Sequence, residues 1–459
     1  MAKIHVISLL QGTIGGVEEQ LGNVAVLIPM AKMLKKYVPD AEISTSIQLT
    51  DEFCVANGIT RVPNLWTISS RFDGMLKLLV SFTDLFRAGL WRFFKNFLHL
   101  NFPILIKRSK LERYANSDVV LDFNGDVFPS DTHSGLVLMH VLEILTIRQL
   151  EIPVIEFVSS PGPFNTWFTR SISRLMFGKM SVVTNREPVS SELLKQIGIK
   201  KVPIVNTACP AFLLKPAPVE RANEIFLQEN IDVKVRPLIG VTLCGYNLTD
   251  RTWGKPKNIG DLSLYISVLK DLLAGLQANV FLLPHVYRIN PYTITGEHIN
   301  GPDHDIALSL YRMVNEDEYK GRFKVIEGKY SAREAKSIIG QCDMYISGRL
   351  HAGVAALSQA IPTVLLGYGH KHRGFAKLLH QEKYVFEGTD SDKLKSIVQD
   401  AWENRENTAQ ILKDRMPRIR ELVNLNFEIV KEIADLDKSE RRHIPKEMSD
   451  AWVERGERF

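Results

Sequence analysis

Short apolar runs alternate along the chain with longer stretches in which apolar residues recur every three or four positions, the pattern of strands alternating with helices. The clearest case is 340–375, GQCDMYISGRLHAGVAALSQAIPTVLLGYGHKHRGF. Met344, Tyr345 and Ile346 lead to a Gly348-Arg349 turn, and Leu350, Val354 and Leu357 then fall on one helical face. A second apolar stretch, Ile361 to Leu366, is closed by Gly367-Tyr368-Gly369 and the cations His370, Lys371, His372 and Arg373. This is a βαβ unit by pattern, and it puts Arg349 and His351 where a strand gives way to a helix. In an open parallel sheet that edge is where ligands bind, and helix N-termini there favour anions. The unit offers an anion clamp beside a proton carrier.

The same alternation predicts strands at Ile4–Leu9, Val119–Phe123, Val154–Val158, Ser181–Thr184 and Ile204–Asn206, with a glycine-rich passage (Gly12, Gly15, Gly16, Gly22) and a helix through Met30 and Leu34 after the first. A second series follows at Leu238–Leu243, Asn279–Leu283, Phe323–Ile326, Met344–Ser347 and Thr363–Leu366. The fold class expected is α/β, in two similar lobes. The first is drawn over 1–214, a linker over 215–235 where Pro216 and Pro218 precede a charged helical stretch, and the second over 236–400. Residues 401–437 read as one or two long helices, and the charged tail from Lys438 as loosely ordered, within a C-terminal extension of 401–459.

Length agrees: 459 residues exceed one ordinary core. Hydrophobic content of 45% and charged content of 24% are those of a folded soluble protein. A net charge of +5 suits an anionic small substrate or membrane surface and is too weak to indicate nucleic acid. Cys54, Cys209, Cys244 and Cys342 are scattered without a CxxC pair, so a reducing compartment is expected and no zinc or disulfide signature is present. The N-terminus, MAKIHVISLL, reads as a strand rather than a signal peptide. No uncharged apolar run approaches the roughly 20 residues of a spanning helix, so a cytoplasmic location is expected.

From Arg71 to Lys110 the chain sets Phe72, Phe82, Phe86, Trp91, Phe93, Phe94, Phe97 and Phe102 among Lys77, Arg87, Arg92, Lys95, Lys107, Arg108 and Lys110, opposed only by Asp73 and Asp84. A basic, aromatic amphipathic segment fits a peripheral membrane contact on the inner face of the membrane. It equally fits a helical hairpin capping the first lobe, because the two share one periodicity. Both readings stay open.

Several turns could carry chemistry. VVLDFNGDVFPSD ends a strand at Asp122 and turns through Asn124-Gly125-Asp126, small and acidic residues suited to sugar hydroxyls or to a simple turn. Ser159–Pro163 forms a rigid hydroxyl-bearing loop after another strand. Arg186 leaves a strand just before a helix start marked by Pro188, Ser190 and Ser191, mirroring Arg349. One such arginine per lobe points to a shared anion site. His285, in LLPHVY, ends a further strand. Asp303, His304 and Asp305 lack metal-ligand spacing and read as solvated loop residues.

The stretch SGRLHAGVAALSQAIPTVLLGYGHKHRGF resembles the C-terminal signature of the polysaccharide pyruvyl transferase family: an Arg-Leu-His-Ala turn, a helix, an Ala-Ile-Pro step into a strand, then Tyr with Lys shortly after. Other pieces fall in the family's order: Gly22-Asn23, Asn124-Gly125-Asp126, Ser159–Pro163, Arg186-Glu187, Pro210-Ala211-Phe212, Pro284-His285 and YSAREAKSIIGQCD. Cys209 stands where an acidic residue is often found, and Asn124 where glycine is common.

The resemblance implies two Rossmann-like lobes of the GT-B glycosyltransferase kind with the site in a central cleft. It implies transfer of a carboxyethylidene group from phosphoenolpyruvate to two hydroxyls of a sugar, in a polysaccharide or its lipid-linked precursor, as a ketal. Phosphoenolpyruvate is then the donor substrate, with no cofactor and no metal. The residues suit that chemistry, since phosphate and carboxylate on a small enol call for guanidinium forks, here Arg186 and Arg349. His351 is the choice for general acid, held protonated by bound phosphate against the neighbouring positive charges. His285, Lys371, Tyr368, Asn124, Asp126 and Ser159 are assigned to substrate binding. A nucleotide-sugar-dependent GT-B glycosyltransferase is the alternative, although Glu382 and Glu387 lack the expected glycine-rich context. A non-catalytic assembly protein is a further one, disfavoured by Arg349 and His351 together.

Overall fold

The computed structural model describes residues 2–8, 17–62, 71–100, 102–107, 109–125, 134–244, 262–289, 298–299, 302–314, 319 and 321–457. Two compact units divide the chain: Met1–Val17 with Met30–Cys209 and Glu421–Phe459, and Glu18–Pro29 with Pro210–Arg420.

The first unit opens with β1 (Lys3–Ile7) and α1 (Leu21–Tyr37), whose first turns, to Pro29, count with the second unit. There follow β2 (Glu42–Thr45), α2 (Asp51–Asn57), β3 (Thr60–Arg61), α3 (Arg71–Phe97), α4 (Lys110–Ala115), β4 (Val119–Asp122) and α5 (Ser134–Gln149). Then come β5 (Val154–Ser159), α6 (Trp167–Phe177), β6 (Val182–Asn185), α7 (Pro188–Gln196) and β7 (Ile204–Asn206). The strands form one parallel sheet in the order β3-β2-β1-β4-β5-β6-β7. Strands such as VVLD and VVTN are buried at every position because helices cover both faces, which is why they read as unbroken apolar runs. Their core includes Ile7, Val120, Val141, Ile144, Val154 and Val183.

The second unit carries α8 (Val219–Gln228), β8 (Leu238–Thr242), α9 (Ser263–Lys270), β9 (Asn279–Leu282), the short pair β10 (Arg288–Ile289) and β11 (His298–Ile299), α10 (Pro302–Val314) and β12 (Phe323–Val325). It continues with α11 (Ala332–Ile339), β13 (Met344–Ser347), α12 (Leu350–Leu357), β14 (Thr363–Leu366), α13 (His370–Leu378), β15 (Val385–Phe386) and α14 (Ser391–Glu403). Its main sheet is parallel in the order β12-β9-β8-β13-β14-β15. The Ser331–Glu334 capping box starts α11, satisfying backbone donors at both of its ends. Each sheet reverses its strand order once, between β1 and β4 and between β8 and β13. Both units are Rossmann-like, and these reversals mark where the carboxyl ends of the strands open toward ligands.

Two helices close the chain: α15 (Arg405–Asp435), with Pro417 inside it, and α16 (Lys446–Glu457). The tail read as loosely ordered is therefore a docked helix. Trp452 is buried and donates its indole N–H to Glu432 (2.7 Å). Gly456 sits where a Cβ would come within 2.7 Å of the Asn206 carbonyl, so only glycine lets α16 lie against β7. One aromatic anchor and one close backbone approach outweigh the charged composition.

Segment 71–110 is not a hairpin of two long helices. It is the single helix α3, then a 3₁₀ turn at Pro103–Leu105 and the start of α4. Among the described residues, no helix is long and apolar enough to cross a membrane.

Candidate active site

In the second unit, Arg349 follows β13, the strand beside the reversal. The turn is tied at three points. Gly348 donates its N–H to the Thr242 carbonyl (2.6 Å), the Cys244 thiol reaches the Gly348 carbonyl (3.2 Å), and the Ser347 hydroxyl donates to the Arg349 carbonyl (2.7 Å). Arg349 itself is extended and precedes the first turn of α12. Its guanidinium is clamped by Asp303, with Nε donating at 3.0 Å and Nη2 at 2.5 Å. Asp303 thus takes two of the five N–H donors that a guanidinium carries and fixes its plane before any ligand arrives.

The sequence suggests a solvated loop residue at Asp303, and the structure corrects this. Asp303 lies in the first turn of α10 and is 2% exposed. The missed signal was GPDHD, a proline at a helix start followed by acids in the first turn, where they complement the helix dipole. His304 is buried beside it.

Asp303 also accepts the backbone N–H of His285 (3.3 Å), which joins the end of β9 to the same cluster. Burial first, and then the charge of Arg349, lower the His285 imidazole to about 3. It is a neutral ring at physiological pH and supplies no positive charge for a phosphate. Burial disfavours the charge on Arg349 too, but Asp303, with Cys244 and Tyr368 contributing, raises its pKa above the ordinary value.

His351, partly exposed, stands in the first turn of α12. Its ring packs on Gly22, where an added Cβ would come within 2.5 Å of Nδ1. The approach is delivered by main-chain pairing: Leu21 donates to the His285 carbonyl (3.3 Å), Tyr287 donates to Glu19 (2.9 Å), and Gln20 bridges Val286. The Gly22-Asn23 step seen in the sequence is therefore a seat for the histidine. After β14, Tyr368 is flanked by Lys371, whose ammonium lies 4.8 Å from the ring centroid, and by the His372 ring edge-on at 4.6 Å. Lys371 is buried.

In the first unit three loops meet at the carboxyl edge of the sheet. Ser160 donates its N–H to Gly125 (2.7 Å), and Arg186 donates its N–H to the Ser159 carbonyl (3.0 Å) and Nε–H to the Ser160 hydroxyl (2.8 Å). A β-bulge between Phe157 and Ser159 produces this, with Val158 held at a φ of 56°. Positive φ is strained for a β-branched residue and recurs at functional sites. Arg186 is followed by Glu187, which caps α7 by accepting the Ser190 N–H and hydroxyl. Burial, opposed by Ser190 and Arg186, raises Glu187 to about 7.

Beneath those loops runs a buried chain of ionisable groups. His140 donates to Asp122 (2.8 Å), Asn124 donates its amide N–H to the other Asp122 oxygen (2.6 Å), and Tyr114 donates its hydroxyl to Glu143. Glu143 lies 3.8 Å from the second His140 nitrogen. Burial opposes charge on His140, but Asp122 and Glu143 raise it to about 10. Burial likewise opposes charge on Glu143, yet His140, Lys110 and Tyr114 lower it to about 2. At Glu156 the balance falls the other way: burial and then Asp122 push it well above the carboxylate range, and Ser159 and the His140 charge offset this only in part. The sequence marks Asp122 as a strand end and Asn124 as part of a turn, and gives no sign that His140, Glu143 and Tyr114 join them.

Arg349, His285, Tyr368 and Lys371 thus gather at one edge of the second unit, with His351 on the adjoining helix turn. Asn124, Ser159 and Arg186 gather in the first. The Asn124 amide is turned inward to Asp122, the Ser159 side chain is fully buried, and Ser160 makes the hydroxyl contact to Arg186. Asp126 lies outside the described residues.

The sequence profile of the polysaccharide pyruvyl transferase family matches residues 21–370, from the seat of His351 through the strand, turn and helix that bear Arg349. This chain belongs to that family. Among curated relatives it is 23% identical to the amylovoran biosynthesis protein AmsJ of Erwinia amylovora over 290 residues, 62% of this chain and 64% of that protein's length. Among solved structures it resembles Anabaena HepE in complex with UDP and glucose, with a TM-score of 0.54 and 13% identity over 95% of this chain and 100% of that one. It also resembles S. aureus MnaA with UDP, with a TM-score of 0.54 and 11% identity over 92% and 95%. At such identities the likeness concerns the fold, and it bears out the α/β class of two Rossmann-like lobes.

Proposed function

We propose that this family member transfers the pyruvyl group of phosphoenolpyruvate to two hydroxyls of a sugar, in a polysaccharide or its lipid-linked precursor, and forms a cyclic ketal. The observation that carries the reading is the Arg349 guanidinium, oriented by Asp303 through two hydrogen bonds, one residue before the α12 turn that bears His351. A planar fork held in place suits a carboxylate or a phosphate, and the α12 N-terminus adds dipole. Lys371 and Tyr368 are assigned further donor contacts, and His285 a neutral hydrogen-bonding part. We assign Arg186 the second guanidinium contact, on its residue type and its strand-to-helix turn. The Asn124, Asp126 and Ser159 segments are assigned to the acceptor.

In the proposed chemistry His351 protonates the methylene carbon of the enol, giving a methyl group and a cationic centre at C2. One sugar hydroxyl adds there, the C2–O bond to phosphate breaks, and the second hydroxyl closes the ketal. Two C–O bonds form, one breaks, and phosphate leaves; of the two hydroxyl protons, one balances the methyl group and the other goes out with phosphate. Positioning and charge stabilisation supply most of the acceleration.

Incubation with phosphoenolpyruvate and a panel of free and lipid-linked hexoses, following phosphate release, tests the reading. Arg349→Ala and His351→Ala each lose about 10³-fold in turnover or more. Full activity in either variant removes that residue from its role. Turnover with a UDP-sugar instead of phosphoenolpyruvate favours the glycosyltransferase alternative.

A further inference from the structure

The helix α3 packs on the core through a narrow stripe and turns most of its large apolar side chains away from it. Its buried positions are Ser81 (1% exposed), Asp84 (5%), Ala88 and Trp91, a stripe that packs toward α5. Met75, Leu79, Phe82, Phe86, Phe93 and Phe97 form a second stripe, roughly 180° from the first at 3.6 residues per turn. All six are exposed, Phe86 to 67% and Phe97 to 75%. Apart from Trp91, small and polar groups therefore face inward, and the phenylalanines face outward along about 33 Å of helix. Folding of the unit does not require those aromatics, and an apolar stripe this long on a surface marks a docking face.

Charge identifies the occupant. Between Met75 and Lys110 the one acidic residue in the sequence is Asp84, which is buried and ion-paired with Lys110 (3.2 Å) and Arg87 (3.6 Å). Arg87 and Arg92 lie about 110° to either side of the apolar stripe, where cations flank an interfacial helix. Lys107 is exposed beyond the helix end, past the exposed Ile104. A second copy of this chain docked through the same face would bring arginines against arginines with no exposed carboxylate on the segment to answer them. An anionic lipid surface meets both features, taking the aromatics at the acyl boundary and the cations at its phosphates.

We propose that α3 and the turn after it lie flat on an anionic bilayer surface, docking the protein through the outward Phe82–Phe97 stripe with Arg87, Arg92 and Lys107 at the headgroups. This goes beyond the proposed reaction and needs no substrate, so the two stand or fall separately. The full chain is floated with vesicles of phosphatidylcholine containing about one-third phosphatidylglycerol, and with phosphatidylcholine alone. It rises with the anionic vesicles and is released at roughly 1 M salt, where charges are screened within about 3 Å. The double variant Phe86→Glu, Phe93→Glu lowers the floated fraction about tenfold or more while its melting temperature stays at the wild-type value, since both side chains face outward. Lys107→Glu, at an exposed site, lowers it about fivefold. Wild-type protein that stays at the bottom of the gradient overturns the proposal. So do folded variants that float like wild type, or a wild-type dimer that the double variant converts to monomer.

Discussion

The two units place comparable groups at comparable points and use them differently. Each sheet reverses its strand order once, and each bears an ion pair near that reversal: His140 with Asp122 in the first unit, Arg349 with Asp303 in the second. The first pair is sealed, at 1% and 0% side-chain exposure, and its polar neighbours are Asn124, Glu143 and Tyr114. In the second, Asp303 is sealed at 1% but the guanidinium is 17% exposed. A cation whose partner is buried behind it while its own edge meets solvent is oriented for something that arrives from outside. A cation enclosed on all sides holds up the loops above it. Position at a sheet reversal is thus insufficient to mark a binding group, and the exposure of the cation tells the two apart.

Substitutions can break this contrast. The largest expected effect is on stability: His140→Ala strands the buried carboxylates of Asp122 and Glu143 and costs about 3–5 kcal/mol in urea unfolding. Protein that remains folded keeps most of its turnover, and an unchanged unfolding midpoint would show that the network contributes nothing. Next comes Asp303→Asn, which keeps the size of the side chain but loses the charge that orients Arg349. Turnover drops about 10²-fold with a shift in melting temperature smaller than that of His140→Ala. A change confined to stability would make the Arg349 pair structural like its counterpart. Gly22→Ala drives a methyl group into the His351 ring and lowers turnover about tenfold, with the substrate KM little changed.

The last test is the pH dependence of the first unit's network. His140 is raised from 6.5 to about 10, so its contribution is complete below pH 6.5 and is lost as pH rises toward 10. Glu143 is lowered from 4.5 to about 2, so its contribution is complete above pH 4.5 and is lost as pH falls toward 2. Melting temperatures of wild type and His140→Ala should therefore differ most between these limits and converge on the alkaline side. A gap that persists undiminished at pH 10 would assign the loss to packing instead.

The sequence made the periodic parts of this molecule legible. Strands β1, β4 to β9 and β12 to β14 lie within two residues of where apolar runs put them, because parallel strands buried on both faces leave little ambiguity. The short strands β2, β3 and β15, at or next to a sheet edge, carry too few apolar residues to stand out. Arg349, His351 and Arg186 were legible for a related reason, since a strand-to-helix turn is visible locally. Asp303 was not, because its partner is 46 residues away and a carboxylate at a helix start looks solvated until that partner is known. The same holds for His140, 18 residues from Asp122 and set in a helix that reads as uniformly apolar. Trp452 shows the converse: a charged segment reads as loose until one side chain is seen to anchor it.

The account rests on His351 delivering a proton to the donor's methylene carbon beside an arginine that Asp303 holds in place. Turnover of phosphoenolpyruvate in D₂O, with the ketal product examined by mass and NMR, tests this step directly. The account predicts one deuterium in the product methyl group, formed at a rate that His351→Ala lowers about 10³-fold. A product methyl without deuterium, or deuterium entering at the wild-type rate in His351→Ala, would contradict it.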